Sequence, residues 1–432
     1  MAWDFETDPE FQKKLDWMDD FVTREVEPLD HLLHDPYDKT DDRAQAIIKP
    51  LQAQVKAEGL WACHLGPDLG GPGYGQLKLA LMNQILGRSR FAPSVFGCQA
   101  PDSGNAEILA HFGSESQKER FLQPLLNGEI SSCYSMTEPH AGADPTLFKT
   151  TAVKDGDEWV INGYKWFSSN ARYASFLIAM VVTNPDVSAY EGMSMFIVPK
   201  ETPGLTIIRN VGVGTEPEDE ASHAYIHYDN VRVSDDHLLG DPGSAFAIAQ
   251  VRLGGGRIHH AMRTIAQLEK AFDMMCERAL SRETRDGPLA SKGVVQEQIA
   301  DSWIEIEQFK LLVLRTAWKI DKLNDYRKVR KDIAAVKVAM PKVYHDVVLR
   351  AMHLHGALGV SNEMPFSRML IGAEVMAIAD GPTEVHKSTI ARQVLRDYKP
   401  VDDLFPSRHL PKLRAAAREK YADYFEQELA SL

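Results

Sequence analysis

The nine residues Ile378-Ala379-Asp380-Gly381-Pro382-Thr383-Glu384-Val385-His386 place a carboxylate directly before a Gly-Pro break, near the start of the last helix that the sequence predicts. Proline fixes its own φ and biases the preceding residue away from the helical region, while glycine supplies the backbone angle that a turn needs. We therefore expect Asp380 to project from a chain reversal, as catalytic carboxylates often do. An aspartate that caps a helix N-terminus has the same local sequence, and these residues alone favour the cap.

Composition narrows the class of protein. A chain of 432 residues is too long for one compact core, so we expect two or three domains. The net charge of −13 argues against nucleic acid or an anionic membrane as the main partner. Four scattered cysteines predict reduced thiols, and residues 1–6 lack the cationic start of a targeting peptide. Because no apolar run is long enough to cross a bilayer, these features predict a cytoplasmic protein without a membrane segment.

Hydrophobic spacing predicts helices in the first part of the chain and strands in the middle. The helices begin with the apolar stripe Phe11, Leu15, Met18, Phe21/Val22 and Val26 and continue over 44–59, 77–88, 106–112 and 116–126. Short runs rich in β-branched residues follow at 150–153, 159–161, 176–183, 193–198, 205–211 and 224–233. Between the first two runs, Asp155-Gly156-Asp157 indicates a hairpin.

Helical spacing returns near residue 246 and continues through long segments with one apolar face each. One of these faces consists of Ile299, Trp303, Ile306, Phe309, Val313, Ala317 and Ile320. Such helices suit an antiparallel bundle. We therefore predict an α+β protein with an N-terminal helical domain (1–132), a middle antiparallel β domain (133–245) and a C-terminal four-helix bundle (246–432).

Two stretches at the predicted helix-to-sheet junction have the polar and aromatic groups that a flat ligand needs. Cys133-Tyr134-Ser135-Met136-Thr137-Glu138-Pro139-His140-Ala141-Gly142-Ala143-Asp144 leaves backbone N–H groups exposed around Pro and Gly, although a capped connector explains it more simply. Gly163-Tyr164-Lys165-Trp166-Phe167-Ser168-Ser169-Asn170 sets an aromatic pair beside two hydroxyls. An edge strand ending in an Asn turn fits this second stretch equally well.

Three later stretches could also meet a ligand. In Arg252-Leu253-Gly254-Gly255-Gly256-Arg257-Ile258-His259-His260 the glycines permit close approach, and we interpret the two histidines as packing or solvent-facing residues. Arg278 and Arg282, at helical spacing, suit either a phosphate or a solvated basic helix end. His353-Leu354-His355-Gly356-Ala357-Leu358-Gly359 indicates a helix end. No G-x-G-x-x-G, P-loop or G-x-S-x-G motif is present, so a nucleotide cofactor would require another fold.

Taken together and in order, these stretches resemble the acyl-CoA dehydrogenase family across essentially the whole chain. Tyr-Ser-Met-Thr-Glu-Pro-x-Ala-Gly-Ala-Asp (134–144) is similar to the first family signature, and Lys-Trp-Phe-Ser-Ser-Asn (165–170) to the flavin-stacking strand. His-Gly-Ala-Leu-Gly (355–359) and Ala-Asp-Gly-Pro-Thr-Glu-Val (379–385) resemble the C-terminal signature. Gly-Arg-Ile-His-His (256–260) is most similar to the branch of eukaryotic members ten and eleven.

The resemblance implies an FAD-dependent enzyme of fatty acid β-oxidation that converts an acyl-CoA to the trans-2-enoyl-CoA. A carboxylate takes the α-proton and the β-hydrogen leaves as hydride, with electrons then passing to an electron-transfer flavoprotein. The base falls on Asp380, where most members carry Glu. Some members take their base from the central helix, but that position holds Gly256 here, so Asp380 stands alone. A homodimer or homotetramer is also implied.

The resemblance assigns the binding residues as well. The implied FAD-binding residues are Tyr134, Met136, Thr137, Phe167, Ser168, Ser169, Arg282, His353, Gly356, Pro382 and Glu384. Arg282 and the segment 353–356 are implied to reach the FAD of a neighbouring subunit. The implied substrate-binding residues are Ala143, Arg257 and Gly381, and no metal is implied. The chain departs from the family pattern at Ala143 (usually Ser), His353 (usually Gln) and Arg285 (usually Phe).

Two other functions compete with this interpretation. A flavin-dependent oxidase or monooxygenase on the same fold would need access for O₂ and could dispense with the base. The retained carboxylate favours dehydrogenation. The third function is a scaffold that has lost its flavin.

Overall fold

The computed structural model describes residues 6–218 and 220–424. Contacts divide the chain into two units, Met1–Lys387 and Ser388–Leu432, and each is described by itself. Within the described residues, no helix is long and apolar enough to cross a bilayer.

The part of the first unit before residue 131 is helical, as the sequence predicts. The stripe that begins at Phe11 is buried, because each of its members packs into one hydrophobic core. The Asp8 carboxylate accepts a hydrogen bond from the Phe11 N–H and so caps the first helix. The helices of this part are α1 (Pro9–Phe21), α2 (Asp42–Ala57), α3 (Gly75–Leu86), α4 (Ala92–Val95), α5 (Asp102–Phe112), α6 (Glu115–Gln117) and α7 (Gln123–Asn127).

The middle of the chain forms one eight-stranded sheet with strand order β6-β7-β3-β2-β4-β5-β8 and with β1 paired to β4. The predicted hairpin joins β2 to β3, and Gly156 takes the positive φ of 62° that the turn requires. The strands are β1 (Ser132–Ser135), β2 (Thr151–Asp155), β3 (Glu158–Ser169), β4 (Phe176–Val182), β5 (Met193–Pro199), β6 (Leu205–Val211), β7 (His223–Ser234) and β8 (Leu238–Leu239).

The prediction of a purely antiparallel sheet is wrong at β4, which pairs in parallel with β1 and, at Thr151 opposite Val182, with β2. β1 runs parallel to β4, from Ser132 opposite Phe176 to Ser135 opposite Ala179. Parallel pairing needs a long crossover, and the β2–β3 hairpin supplies it between the two strands. β1, which directly follows the N-terminal helices, therefore lies in the sheet beside β4, a strand that comes about 40 residues later in the chain.

Helices return after the sheet, which confirms the α-β-α order. Helices α8, α9, α10 and α11 pack together and share their core with the helices at the start of the chain. The elements are α8 (Ala245–Ser281), β9 (Glu283–Thr284), β10 (Gly287–Pro288), α9 (Gly293–Leu323), α10 (Arg330–His355), α11 (Phe366–Ile378), α12 (Thr383–Leu395) and α13 (Leu410–Lys420). The exact domain boundaries at 132/133 and 245/246 stay a prediction.

Two details of the predicted helices are wrong. α12 is not the last helix, because α13 follows it. Trp303 does not lie on the buried face of α9, since 56% of it is exposed. The buried stripe passes instead through Ser302, which is 0% exposed and bonded to Arg350, and continues four residues later at Ile306.

Candidate active site

Asp380 lies on a chain reversal between two helices. α11 ends at Ile378 and α12 begins at Thr383, and between them Asp380 has φ of 56° and Gly381 has φ of 105°. The predicted reversal is therefore confirmed. The helix-cap interpretation is wrong, because α12 begins beyond the turn and the carboxylate faces the long helix α8.

The carbonyl of Asp380 is held from two sides. Arg257 Nε donates a hydrogen bond to it at 2.9 Å, and His386 Nε2 lies 3.2 Å from the same oxygen. A non-glycine residue in the left-handed region costs about 1–2 kcal/mol, and these two contacts stabilise Asp380 there. Gly381 completes the turn, since a Cβ at this position would lie 2.9 Å from His386 Nε2. Arg257 thus orders the carboxylate's loop, and its contact with a substrate stays a prediction.

The carboxylate itself lies against α8 at a point where the helix has no side chain. A Cβ on Gly256 would be only 3.1 Å from Asp380 Oδ2, and the Asp380 side chain is 18% exposed. His260 Nε2 lies 3.9 Å from the same oxygen. Within residues 6–218 and 220–424, no hydrogen bond reaches either carboxylate oxygen. The group is therefore free to bind a proton from a ligand.

His260 corrects an interpretation made from the sequence. We expected both adjacent histidines to be packing or solvent-facing residues. His259 is indeed buried and bonded to Gln76 at 3.1 Å, but His260 faces Asp380. The signal was present in the sequence, because His260 stands four residues after Gly256 and so shares its helical face.

Basic groups surround Asp380 in different protonation states. Burial lowers the pKa of Lys337 to about 8 and also lowers the pKa of Arg257, and in both cases the Asp380 charge opposes the shift. Burial likewise lowers the pKa of His260 and of His386 to about 4 each. At neutral pH the two imidazoles are therefore uncharged, while the guanidinium and much of the Lys337 population remain charged.

A second group of polar side chains lies on α5, β1 and α8; the sequence analysis included its Tyr134 and Arg252 but not its Asn105 and Glu107. The Arg252 guanidinium sits 3.8 Å above the Tyr134 ring, and its Nε donates to Asn105 Oδ1 at 2.9 Å. Burial raises the pKa of Tyr134 to about 12, and its hydroxyl has no partner among the described residues. Burial also raises the pKa of Glu107 to about 7. Arg252 and Asp380 both act on the pKa of Tyr134, so the two groups belong to one site.

The loop after β1 is fixed against β3 by a buried ion pair. Lys165 is 0% exposed, and its Nζ donates to Met136 O at 2.7 Å and to Glu138 Oε1 at 3.0 Å. The Trp166 N–H donates to Thr137 O at 2.8 Å. Burial lowers the pKa of Lys165 to about 8, although Glu138 acts in the opposite direction. The backbone at 136 and 137, which the sequence assigned to a ligand, is thereby held rigidly on the sheet.

The next part of β3 presents an aromatic surface. Phe167 has φ of 52° and is 40% exposed, and its ring centroid lies 5.0 Å from that of His223. The Ser169 hydroxyl is 2.9 Å from His223 Nδ1. β2 pairs with β3 only up to Asn162, so among the described strands residues 163–169 pair with β7 alone, as an edge strand would, and the predicted Asn turn is present with φ of 68° at Asn170.

Ser168 does not take part in this surface. Its hydroxyl is buried and lies 3.1 Å from that of Ser135, and its predicted role in cofactor binding stays a prediction. The register shifts between Lys165 and Ser168, and the positive φ of Phe167 falls within the shift. Such a bulge breaks the alternation of strand faces, so the side chains of Lys165 and Ser168 both turn inward.

The remaining residues assigned by resemblance lie at the surface or near it. Arg282, His353, Glu384 and Ala143 are exposed, as is Arg285. Arg282 is the first residue after α8 and has extended backbone, so it does not share a helical face with Arg278. Gly356 ends α10 with φ of 63°, as expected for a helix end, and Pro382 lies in the turn after Asp380. The contacts expected of these residues stay predictions.

The residues of the sheet side fit a flat, polar cofactor. An exposed aromatic ring at Phe167, the ordered backbone at Thr137 and the unpartnered hydroxyl of Tyr134 offer stacking and hydrogen bonding. The Asp380 charge also contributes to the raised pKa of Tyr134, so these two side chains interact electrostatically.

Comparison with known proteins identifies the class. The chain matches the acyl-CoA dehydrogenase N-terminal domain over residues 8–129, the middle domain over 133–231 and the C-terminal domain over 243–395. The chain therefore belongs to the acyl-CoA dehydrogenase family, whose cofactor is FAD.

Relatives place the chain within this family. FadE2 of Mycobacterium tuberculosis, assigned as an acyl-CoA dehydrogenase, is 42% identical over 396 residues, which cover 91% of this chain and 93% of FadE2. Acyl-CoA dehydrogenase family member 11 of Gallus gallus is 41% identical over 387 residues, which cover 87% of this chain and 49% of that protein. This chain thus spans about half the length of member 11. Members 10 and 11 both occur among the matches, which confirms the branch that the sequence indicated.

A solved structure shows the same fold. A Mycobacterium abscessus protein assigned as an acyl-CoA dehydrogenase superposes with a TM-score of 0.84 at 37% identity. The match covers 91% of this chain and 100% of that one. The three-part α-β-α architecture is therefore that of the family.

Proposed function

We propose that the protein is an FAD-dependent acyl-CoA dehydrogenase that oxidises the Cα–Cβ bond of an acyl-CoA to the trans-2-enoyl thioester. The observation that carries this proposal is the Asp380 carboxylate. It has no hydrogen bond from the described residues, and it stands on a left-handed turn fixed by Arg257 and His386. A carboxylate in this setting suits proton abstraction from a carbon beside a thioester.

The proposed chemistry divides between Asp380 and the cofactor. Asp380 accepts the α-proton as the Cα–H bond breaks, and the electron pair of that bond moves into the forming Cα–Cβ double bond. Bound FAD would supply the acceptor for the hydride that leaves Cβ. The short aspartate side chain can reach the α-carbon only if its backbone is brought close, and the turn at Gly381 together with the bare helix at Gly256 allows that approach.

The chain's own residues account for cofactor binding in this proposal. Met136 and Thr137 would line one edge of the flavin, Phe167 would stack on its ring, and Tyr134 and Ser169 would offer hydroxyl groups. The exposed residues Arg282, His353 and Glu384, together with Gly356 and Pro382, would bind the nucleotide part, and Arg282 and the segment 353–356 would do so in a neighbouring subunit. Ala143, Arg257 and Gly381 would lie near the acyl-CoA.

Partners and location follow the same reasoning. We propose a homodimer or homotetramer, and exposed apolar side chains on α9 support an assembly: Trp303 is 56%, Ile304 45% and Leu311 47% exposed. An electron-transfer flavoprotein as acceptor, a role in β-oxidation and a cytoplasmic location stay predictions. Size-exclusion chromatography with light scattering tests the assembly, and an active monodisperse monomer would contradict it.

Replacing Asp380 tests the proposed reaction. In Asp380→Asn we expect bound FAD to remain and its anaerobic reduction by acyl-CoA to slow by at least ~10²-fold, the usual scale for loss of a general base. Stopped-flow absorbance measures the rate, and Asp186→Asn, at an exposed position between β4 and β5, serves as the matched control. Reduction of the Asp380 variant at a near-normal rate would refute Asp380 as the base.

Product analysis separates the proposal from the competing functions. A dehydrogenase bleaches its flavin under anaerobic conditions and makes little hydrogen peroxide in air. Peroxide formed at the rate of substrate loss would instead indicate an oxidase. Purified protein that stays without 450 nm absorbance after FAD is supplied would indicate a scaffold without flavin.

A further inference from the structure

One face of α8 approaches the carboxylate of Asp380 at two positions. Gly256 contributes no side chain, so the carboxylate can lie against the helix, with 3.1 Å between Oδ2 and the position of a Cβ. His260 follows one helical turn later and places Nε2 3.9 Å from the same oxygen. The helix thus offers the carboxylate an open space and a hydrogen-bonding group side by side.

The other basic groups around Asp380 make their contacts with carbonyl groups. Arg257 Nε and His386 Nε2 contact the Asp380 carbonyl. Lys337 Nζ on α10 donates to the carbonyl of Met376. The Asp380 charge contributes to the raised pKa of Tyr134 on β1, but the Tyr134 hydroxyl has no hydrogen bond from the described residues. Among the described side chains, His260 is therefore the one with a nitrogen next to a carboxylate oxygen.

We propose, on the basis of the proposed function, that His260 is a positioning residue for the base. Its Nε2–H group binds Asp380 Oδ2 when substrate is bound, so that Oδ1 faces the α-carbon. A movement of about 1 Å shortens the present distance to that of a hydrogen bond. Burial keeps the imidazole uncharged, and the charged groups that face it are Asp380, Arg252, Arg263 and Lys337. A neutral N–H donor orients the carboxylate and leaves its other oxygen free to accept the α-proton.

The consequence is a defined effect on the base. A hydrogen bond from His260 stabilises the ionised carboxylate more than its acid form. Loss of the donor should shift the pH profile of proton abstraction upward by about one unit, the scale of a hydrogen bond to a charged group. It should also slow proton abstraction, because the carboxylate is no longer oriented.

The test uses a substrate analogue that permits proton abstraction but no hydride transfer. In a 3-thiaacyl-CoA, matched in length to the best substrate, sulfur replaces the β-carbon. Exchange of its α-hydrogens with D₂O, followed by NMR across a pH series, therefore reports on the base alone. The variants are His260→Leu, His260→Gln, which retains a donor near the Nε2 position, and His259→Leu as the neighbouring control.

We expect His260→Leu to shift the exchange profile upward by about one pH unit and to slow exchange about 10-fold. His260→Gln should recover most of the wild-type pH profile and exchange rate, and His259→Leu should leave the wild-type profile unchanged. An unchanged profile in His260→Leu, or a slow variant that glutamine does not rescue, would overturn the inference.

One further variant separates this inference from the proposed function. If Asp380→Asn abolishes exchange while His260→Leu leaves the profile unchanged, Asp380 is the base and only the role of His260 is wrong. If Asp380→Asn exchanges at the wild-type rate, the proposed base is wrong. Circular dichroism on each variant confirms that it is folded.

Discussion

Replacing Gly256 with alanine should raise stability and slow catalysis, because the added methyl group has opposite effects on the two. Within α8 an alanine stabilises the helix by roughly 0.5–1 kcal/mol relative to glycine. The new Cβ, however, would lie 3.1 Å from Asp380 Oδ2. Ordinary contact begins near 3.4 Å, so the carboxylate must retreat by about 0.3 Å.

That retreat sets the expected loss of rate. A misplacement of 1 Å costs on the order of 10²-fold, so about 0.3 Å corresponds to roughly fourfold slower proton abstraction. Stopped-flow measurement of flavin reduction by acyl-CoA gives the rate, and urea denaturation gives the free energy of unfolding. Gly256→Ala should therefore be more stable than the wild type and about fourfold slower.

Gly254→Ala is the matched control for this experiment. It adds the same methyl group to the same helix, but its Cβ would lie 3.5 Å from the Tyr326 ring, which is ordinary contact. It should gain similar stability and keep the wild-type rate. A Gly256→Ala variant that reduces its flavin as fast as the wild type, or a Gly254→Ala variant that is equally slow, would refute the reasoning.

Three other outcomes are expected. Asp380→Glu should reduce its flavin more slowly than the wild type in stopped-flow experiments, because the turn already brings the carboxylate against Gly256; a fully active variant would show that the turn does not set the distance. Glu138→Gln should lower the free energy of unfolding in urea by about 3–5 kcal/mol, since the Lys165 ammonium stays buried without an opposite charge, and a loss under 1 kcal/mol would contradict this. Burial lowers the pKa of His64 from 6.5 to about 4, so the unfolded chain binds its proton first on acidification. His64 therefore destabilises the wild type as pH falls through this window, and the stability of His64→Phe relative to the wild type should rise by about 3 kcal/mol; a constant difference would refute the shift.

Local sequence determined the order of the elements and the turn that carries the base. Hydrophobic spacing depends on neighbours a few residues apart, so it indicated helices, then strands, then helices, with the hairpin at Gly156. Gly381 and Pro382 act on their own backbone and their immediate neighbours, so the reversal at Asp380 was equally predictable. Even the place of His260 on the face of Gly256 follows from helical periodicity, although it was not recognised.

Long-range packing decided which strands pair and which side chains turn inward. β1 pairs with β4 because a crossover returns the chain beside it, and no local pattern distinguishes that arrangement from a hairpin. The bulge at Phe167 and Ser168 turns the Ser168 hydroxyl toward Ser135 on another strand, a contact that local alternation does not encode. Both features depend on partners that are distant in the sequence.

By itself the sequence determined that this chain has an α-β-α architecture and a carboxylate on a tight turn, because both depend on residues within a few positions of one another. Only the tertiary structure decided what surrounds that carboxylate. Arg257 and Asp380 are 123 residues apart; His260 lies with Arg257 on α8, and Lys337 comes from α10. Their approach depends on how whole helices pack, which local spacing does not encode. The candidate base was therefore visible in the sequence, and its supporting residues were not.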